Sequence, residues 1–177
     1  MKTIITLLVF FAFAIQLSAQ IQKGGMLIGG TGSFGHTSIE GEGYTSFNLS
    51  PNLGYFFTNH FAFGGSLSLS LVSSDGANQQ SYGLSPFARY YFNGAGAARC
   101  FGQLKAGIAI LDGGYDNATT VQFGAGIGID YLLNEHVALE ALLGYDLTRY
   151  TEAEFSINNI GISFGVVAFI GKGKKAE

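Results

Sequence analysis

Eight segments of this chain alternate between a long apolar residue and a small or polar one, which restricts the fold to strands with two unlike faces. From Phe47 to Phe57 the odd positions carry Phe47, Leu49, Pro51, Leu53, Tyr55 and Phe57, and the even ones Asn48, Ser50, Asn52, Gly54 and Phe56. The next segment sets Phe61, Phe63, Leu67, Leu69 and Leu71 against Ala62, Gly64, Ser66, Ser68 and Ser70. Comparable ribbons run over Ser81–Phe92, Arg99–Ile110, Thr120–Tyr131, Val137–Leu147 and Asn159–Ile170. Gly24–Gly35 is the weakest, with Met26, Ile28 and Phe34 standing among glycines. The segments, about 11 to 14 residues long, exceed the usual strand of soluble sheets and suit a tilted crossing of a bilayer.

The charges decide which face is which. Arg89, Arg99, Lys105, Asp130, Glu140 and Asp146 all fall on the face rich in Gly, Ser, Gln and Asn, opposite the continuous apolar run of each ribbon. A soluble sandwich would also separate its faces this way. Here, however, the polar face is mostly glycine and serine, as in a cramped lumen, and aromatics such as Tyr55, Phe57, Phe61, Tyr90, Phe92 and Tyr131 gather near strand ends, as in an interfacial girdle. Charged residues make up 12% of the chain, about half the share of an ordinary soluble domain. In hydrocarbon, strands must pair all their backbone groups, and a closed sheet is the way to do so. The sequence therefore predicts an all-β fold, an eight-stranded antiparallel up-and-down transmembrane β-barrel.

Residues 1–19 read as a cleavable signal peptide: Met1-Lys2 supplies the positive start, Ile4–Ile15 the apolar stretch, and Ala19 the small residue before Gln20. The barrel domain is expected over 20–171, followed by a polar tail at 172–177. Short turns are predicted at Thr58–His60, Asn93–Ala97 and Leu133–His136. Longer loops are predicted at His36–Gly43, Ser73–Gln80, Leu111–Ala118 and Tyr150–Ser156. Short periplasmic turns and long outer loops characterise outer-membrane barrels. Acidic residues fall in the long loops, and Lys23, Lys172, Lys174 and Lys175 near the termini.

The formal net charge of -3 gives no basic footprint for nucleic acid, and Cys100, the sole cysteine, forms neither an intramolecular disulfide nor a cysteine zinc cluster. Gly124-Ala125-Gly126-Ile127-Gly128 lacks the following helix that a dinucleotide loop needs, so these glycines read as room inside a narrow barrel. Of three histidines, His36 alone falls on the outer side, near Ser38 and Glu40, a loop composition and not a demonstrated triad. Asp112-Gly113-Gly114-Tyr115-Asp116-Asn117 is the best calcium-like stretch, and it reads as solvated. No catalytic, cofactor or metal site is assigned. The inward charges Arg89, Lys105, Asp130 and Glu140, with Arg99 and Asp146 beside them, are expected to form a salt-bridge network filling the periplasmic half of the lumen.

Leu53-Gly54-Tyr55-Phe56-Phe57, Pro86-Phe87-Ala88-Arg89-Tyr90-Tyr91-Phe92 and Gly124–Tyr131 look like strand ends of small OmpA/OmpX-like outer-membrane barrels, and the chain from about Gln20 to Gly171 resembles the β-barrel domain family common in Bacteroidetes. The resemblance implies an outer-membrane location and a fold far more than an activity. The expected role is structural, adhesive or loop-mediated binding by a non-enzymatic monomer among outer-membrane lipid and lipopolysaccharide, with an extracellular ligand on the loops. A small-solute porin-like channel, a lipid A-modifying enzyme and a secreted soluble barrel stand as alternatives. The last strand departs from the family habit of ending on an aromatic: Phe169 is followed by Ile170, Gly171 and the polar tail.

Overall fold

The computed structural model describes residues 22–39, 42–74, 77–92, 97–112, 117–151 and 156–171. They form eight strands: β1 (Met26–Ile39), β2 (Glu42–Phe56), β3 (Phe61–Ser74), β4 (Ala77–Tyr91), β5 (Ala98–Asp112), β6 (Asn117–Leu132), β7 (Val137–Tyr150) and β8 (Ser156–Ile170). Each pairs antiparallel with its sequence neighbours, and β8 returns to β1 to close a barrel. Followed from partner to partner, Met26 leads through Tyr55, Phe63, Ala88, Leu104, Ala125 and Tyr145 to Ile160, and the β8–β1 register carries Ile160 to a point ten residues along β1, at His36. That stagger tilts the strands and leaves an interior just wide enough for side chains.

The two faces fall where alternation places them. Leu53, Tyr55, Phe63, Leu67, Leu84, Leu104, Ile108, Ile127, Leu143 and Phe164 are exposed on the outside. Leu27, Phe56, Ala62, Phe87, Tyr91, Phe101, Ala138, Val167 and Phe169 are buried inside, towards the end that carries the chain termini. In water such an outer surface would be a continuous apolar patch far beyond what soluble monomers expose. In a bilayer it is the solvated surface.

Two turns at the termini end are built by side-chain acceptors. Thr58 Oγ1 accepts from the backbone N–H of His60 at 3.2 Å and of Phe61 at 3.0 Å, while Asn134 Oδ1 accepts from those of His136 and Val137, both at 2.8 Å. Gly24, with φ of 88°, turns the chain into β1 and donates its N–H to the Phe56 carbonyl at 2.8 Å.

At the opposite end the long loops expected from the sequence are mostly strand. β1 and β2 stay paired out to Ile39 and Glu42, β3 and β4 to Ser74 and Ala77, and β5 and β6 to Asp112 and Asn117, while β7 reaches Tyr150 and β8 begins at Ser156. The strands are 14 to 16 residues long, and β1 runs on past Gly35. Loss of the apolar alternation marks where the lipid ends, whereas backbone pairing continues in solvent for as long as both strands stay extended. The marked asymmetry of connection length is therefore absent. Residues 40–41, 75–76, 113–116 and 152–155, the proposed signal 1–19 and the tail 172–177 lie outside the described residues.

A charge on the outer face tests the lipid assignment. Leu104→Arg, at a site 64% exposed, is expected to cost about 2–4 kcal/mol in urea unfolding from phosphocholine bilayers, against almost nothing for an exposed site in water.

Candidate functional site

Arg89 sits on β4 with an inward side chain that is 1% exposed, and its guanidinium reaches across the lumen. Nη1 lies 2.5 Å from Glu140 Oε2 on β7 and 3.8 Å from Asp130 Oδ2 on β6. Nε and Nη2 both donate to Gln103 Oε1 on β5, at 2.9 and 2.7 Å. The Tyr91 hydroxyl accepts from Nη1 at 3.3 Å and donates to Asp130 Oδ2 at 2.7 Å. The guanidinium also lies over the Phe101 ring, 3.9 Å from its centroid. One cation thus ties four strands together, and the forked, planar group suits the task because it serves several acceptors at once.

Packed against it, Phe56, Tyr91, Phe101 and Phe169 form an aromatic layer with ring centroids 5.5 to 6.3 Å apart. Glycines make the room. A methyl at Gly128 would meet Phe101 Cε1 at 2.8 Å, and one at Gly64 would meet Phe87 Cζ at 2.7 Å.

Lys105 and Asp146 form a second pair at 2.9 Å, nearer the far end, with side chains 33% and 35% exposed. Of the four charges singled out in the sequence, the structure brings Arg89, Asp130 and Glu140 into contact and leaves Lys105 with Asp146. Arg99 is also buried, directly across from Asp130 in the β5–β6 register. Tyr91, Gln103 and the aromatic layer were not singled out as site residues. Their parity with Arg89 was the available signal, since Phe87 and Tyr91 lie two positions to either side of it.

Beyond Arg89 and Glu140, towards the far end, the lumen opens into a cavity of about 320 Å³ lined by Ser50, Asn52, Ser66, Gln122 and Asn159 among others. The side chains of His36 and Ser38, and all of Glu40, lie outside the described residues, as do 113–116 of the calcium-like stretch.

The profile of the outer membrane protein beta-barrel domain family matches residues 5–167. The chain belongs to that family. Its place is the bacterial outer membrane. Among curated proteins no sequence matches it. Solved structures share the fold at low identity. The outer membrane protein OprG from Pseudomonas aeruginosa is 13% identical, covering 89% of this chain and all of its own with a TM-score of 0.58. Neisserial surface protein A is 17% identical, covering 82% of this chain and 97% of its own with a TM-score of 0.57. The N-terminal barrel of Pseudomonas aeruginosa OprF is 17% identical, covering 84% and 98%, with a TM-score of 0.54.

Removing the central cation strands two carboxylates in a closed interior. Arg89→Ala is expected to cost about 3–5 kcal/mol of unfolding free energy, and adding Asp130→Asn and Glu140→Gln should restore part of it, as measured by urea unfolding in detergent micelles. Gly128→Val should cost about 1–3 kcal/mol in the same assay by crowding Phe101.

Proposed function

We propose that this is a non-enzymatic, monomeric outer-membrane barrel whose lumen is sealed on the periplasmic side and whose paired ribbons project outside for a structural and surface-binding role. On this reading a signal peptide, 1–19, is removed, the barrel spans 20–171, and the tail 172–177 lies in the periplasm. Lipid and lipopolysaccharide surround the apolar band, and any extracellular ligand meets the ribbon ends. Arg89, Asp130 and Glu140 act as the seal, and Lys105 with Asp146 lines the vestibule above it.

The observation that carries the seal is the buried guanidinium of Arg89, held from four strands and backed by the aromatic layer. Moving it would strip a charge of its partners in a low-dielectric interior, at a cost of several kcal/mol. The competing reading, a small-solute pore, draws on the polar cavity of about 320 Å³ on the other side of Arg89. It requires that plug to swing aside. Wild-type protein in planar bilayers is expected to give no stable, large single-channel current. Long-lived open events in the wild type would favour the pore.

A further inference from the structure

The barrel wall is unevenly closed. β1 and β8 pair only from Met26 opposite Ile170 to Thr31 opposite Gly165, whereas the β5–β6 ladder is paired along the whole of Ala98–Asp112. Continued in the same register, Gly32 would face Phe164 and Phe34 would face Ile162. Among the described residues neither pairing occurs: beyond Thr31, β1 pairs with β2 alone, and before Gly165, β8 pairs with β7 alone.

A methyl at Gly165 would collide with the Gly30 backbone, so the seam is tight there. The apolar side chains flanking the gap are the most exposed in the wall, with Phe34 at 74% and Ile160 at 73%. The lumen cavity reaches the gap from inside, touching Thr31 on one flank and Asn159, Gly161 and Ser163 on the other.

This opening lies at lipid depth. Ile160 and Ile162 stand opposite Tyr145 and Leu143 of the apolar band. Unpaired strand edges in hydrocarbon cost several kcal/mol per orphaned group, so an occupant that supplies polar atoms there is stabilised. It must also be apolar outside the wall. Within the cavity, the Lys105 ammonium and the Asp146 carboxylate stand side by side, each about a third exposed, and Asp146 is the register partner of Asn159 at the gap. A cation and an anion presented together match a headgroup that carries both charges.

We propose that the β1–β8 seam is a lateral port that admits the polar head of a zwitterionic phospholipid into the lumen cavity, while its acyl chains stay outside along Phe34, Ile160 and Phe164. The port rests on the lipid-embedded barrel described above and is independent of its seal. Phosphatidylcholine vesicles carrying a diazirine on the choline head provide the probe. Irradiation of the reconstituted protein is expected to label lumen residues Asn159, Ser163 and Gln122. A Cys100→Ser background with Gly32→Cys and Phe164→Cys allows the seam to be stapled, by a disulfide or a short bismaleimide, and retention of the heat-dependent gel shift verifies the folded barrel. Stapling should abolish lumen labelling. Adducts confined to outward or solvent-exposed residues, or lumen adducts that survive stapling because the head enters by the barrel mouth, would overturn the port. A wild-type barrel that conducts ions yet takes label through the seam would overturn the seal and leave the port standing, whereas a silent barrel without lumen label would do the reverse.

Discussion

Hydrocarbon offers a peptide group no hydrogen-bond partner, and the architecture follows from that single deficit. Eight strands satisfy one another round a ring, and their stagger fixes both tilt and bore. Once the bore is set, every inward position competes for a fixed volume. Gly64 and Gly128 are the complement of Phe87 and Phe101: the backbone gives up side chains at some positions so that a few large ones fill the centre. The same closure explains why a shortened ladder between β1 and β8 is consequential here, since a sheet edge that water would readily solvate in a soluble protein faces acyl chains in this one.

Charge inside such a bore is tolerated through balance and contact. Arg89, Arg99 and Lys105 face Asp130, Glu140 and Asp146, so the described lumen carries no net charge from these groups. The cluster around Arg89 is fully desolvated and multiply hydrogen-bonded, while Lys105 and Asp146 retain contact with the cavity. Burial of ions is weak evidence for stability as such, because a well-packed apolar replacement can do as well. What the buried cluster secures is the relative placement of distant strands.

Much of this was legible in the chain. Parity alone separated Leu53 from Gly54 and Leu104 from Lys105, and it put Arg89, Arg99, Lys105, Asp130, Glu140 and Asp146 on the inner face, because a strand's side-chain period admits no other reading once one face is apolar. Partner choice was not legible. Lys105 meets Asp146 and Arg89 meets Glu140 because of the accumulated stagger of several ladders, a quantity set by the turns and not by any one segment. Strand ends were misjudged for a related reason: at Thr37, Gln79 and Thr119 polarity signals departure from lipid, while the hydrogen-bond ladder runs on. β1, rich in glycine and faint in alternation, is also the strand whose pairing with β8 stops early.

A thin-walled tube resists stretching along its strands far better than it resists being squeezed into an oval, because flattening only bends the sheet. Arg89 joins β4 to β7, strands that do not touch round the wall, and so acts as a brace across the bore. Bilayer pressure that would deform an unbraced ring must here compress an ion pair and the rings stacked beside it. The end of the barrel near the termini is thereby held round, and compliance is left to the half where the wall is least stitched together.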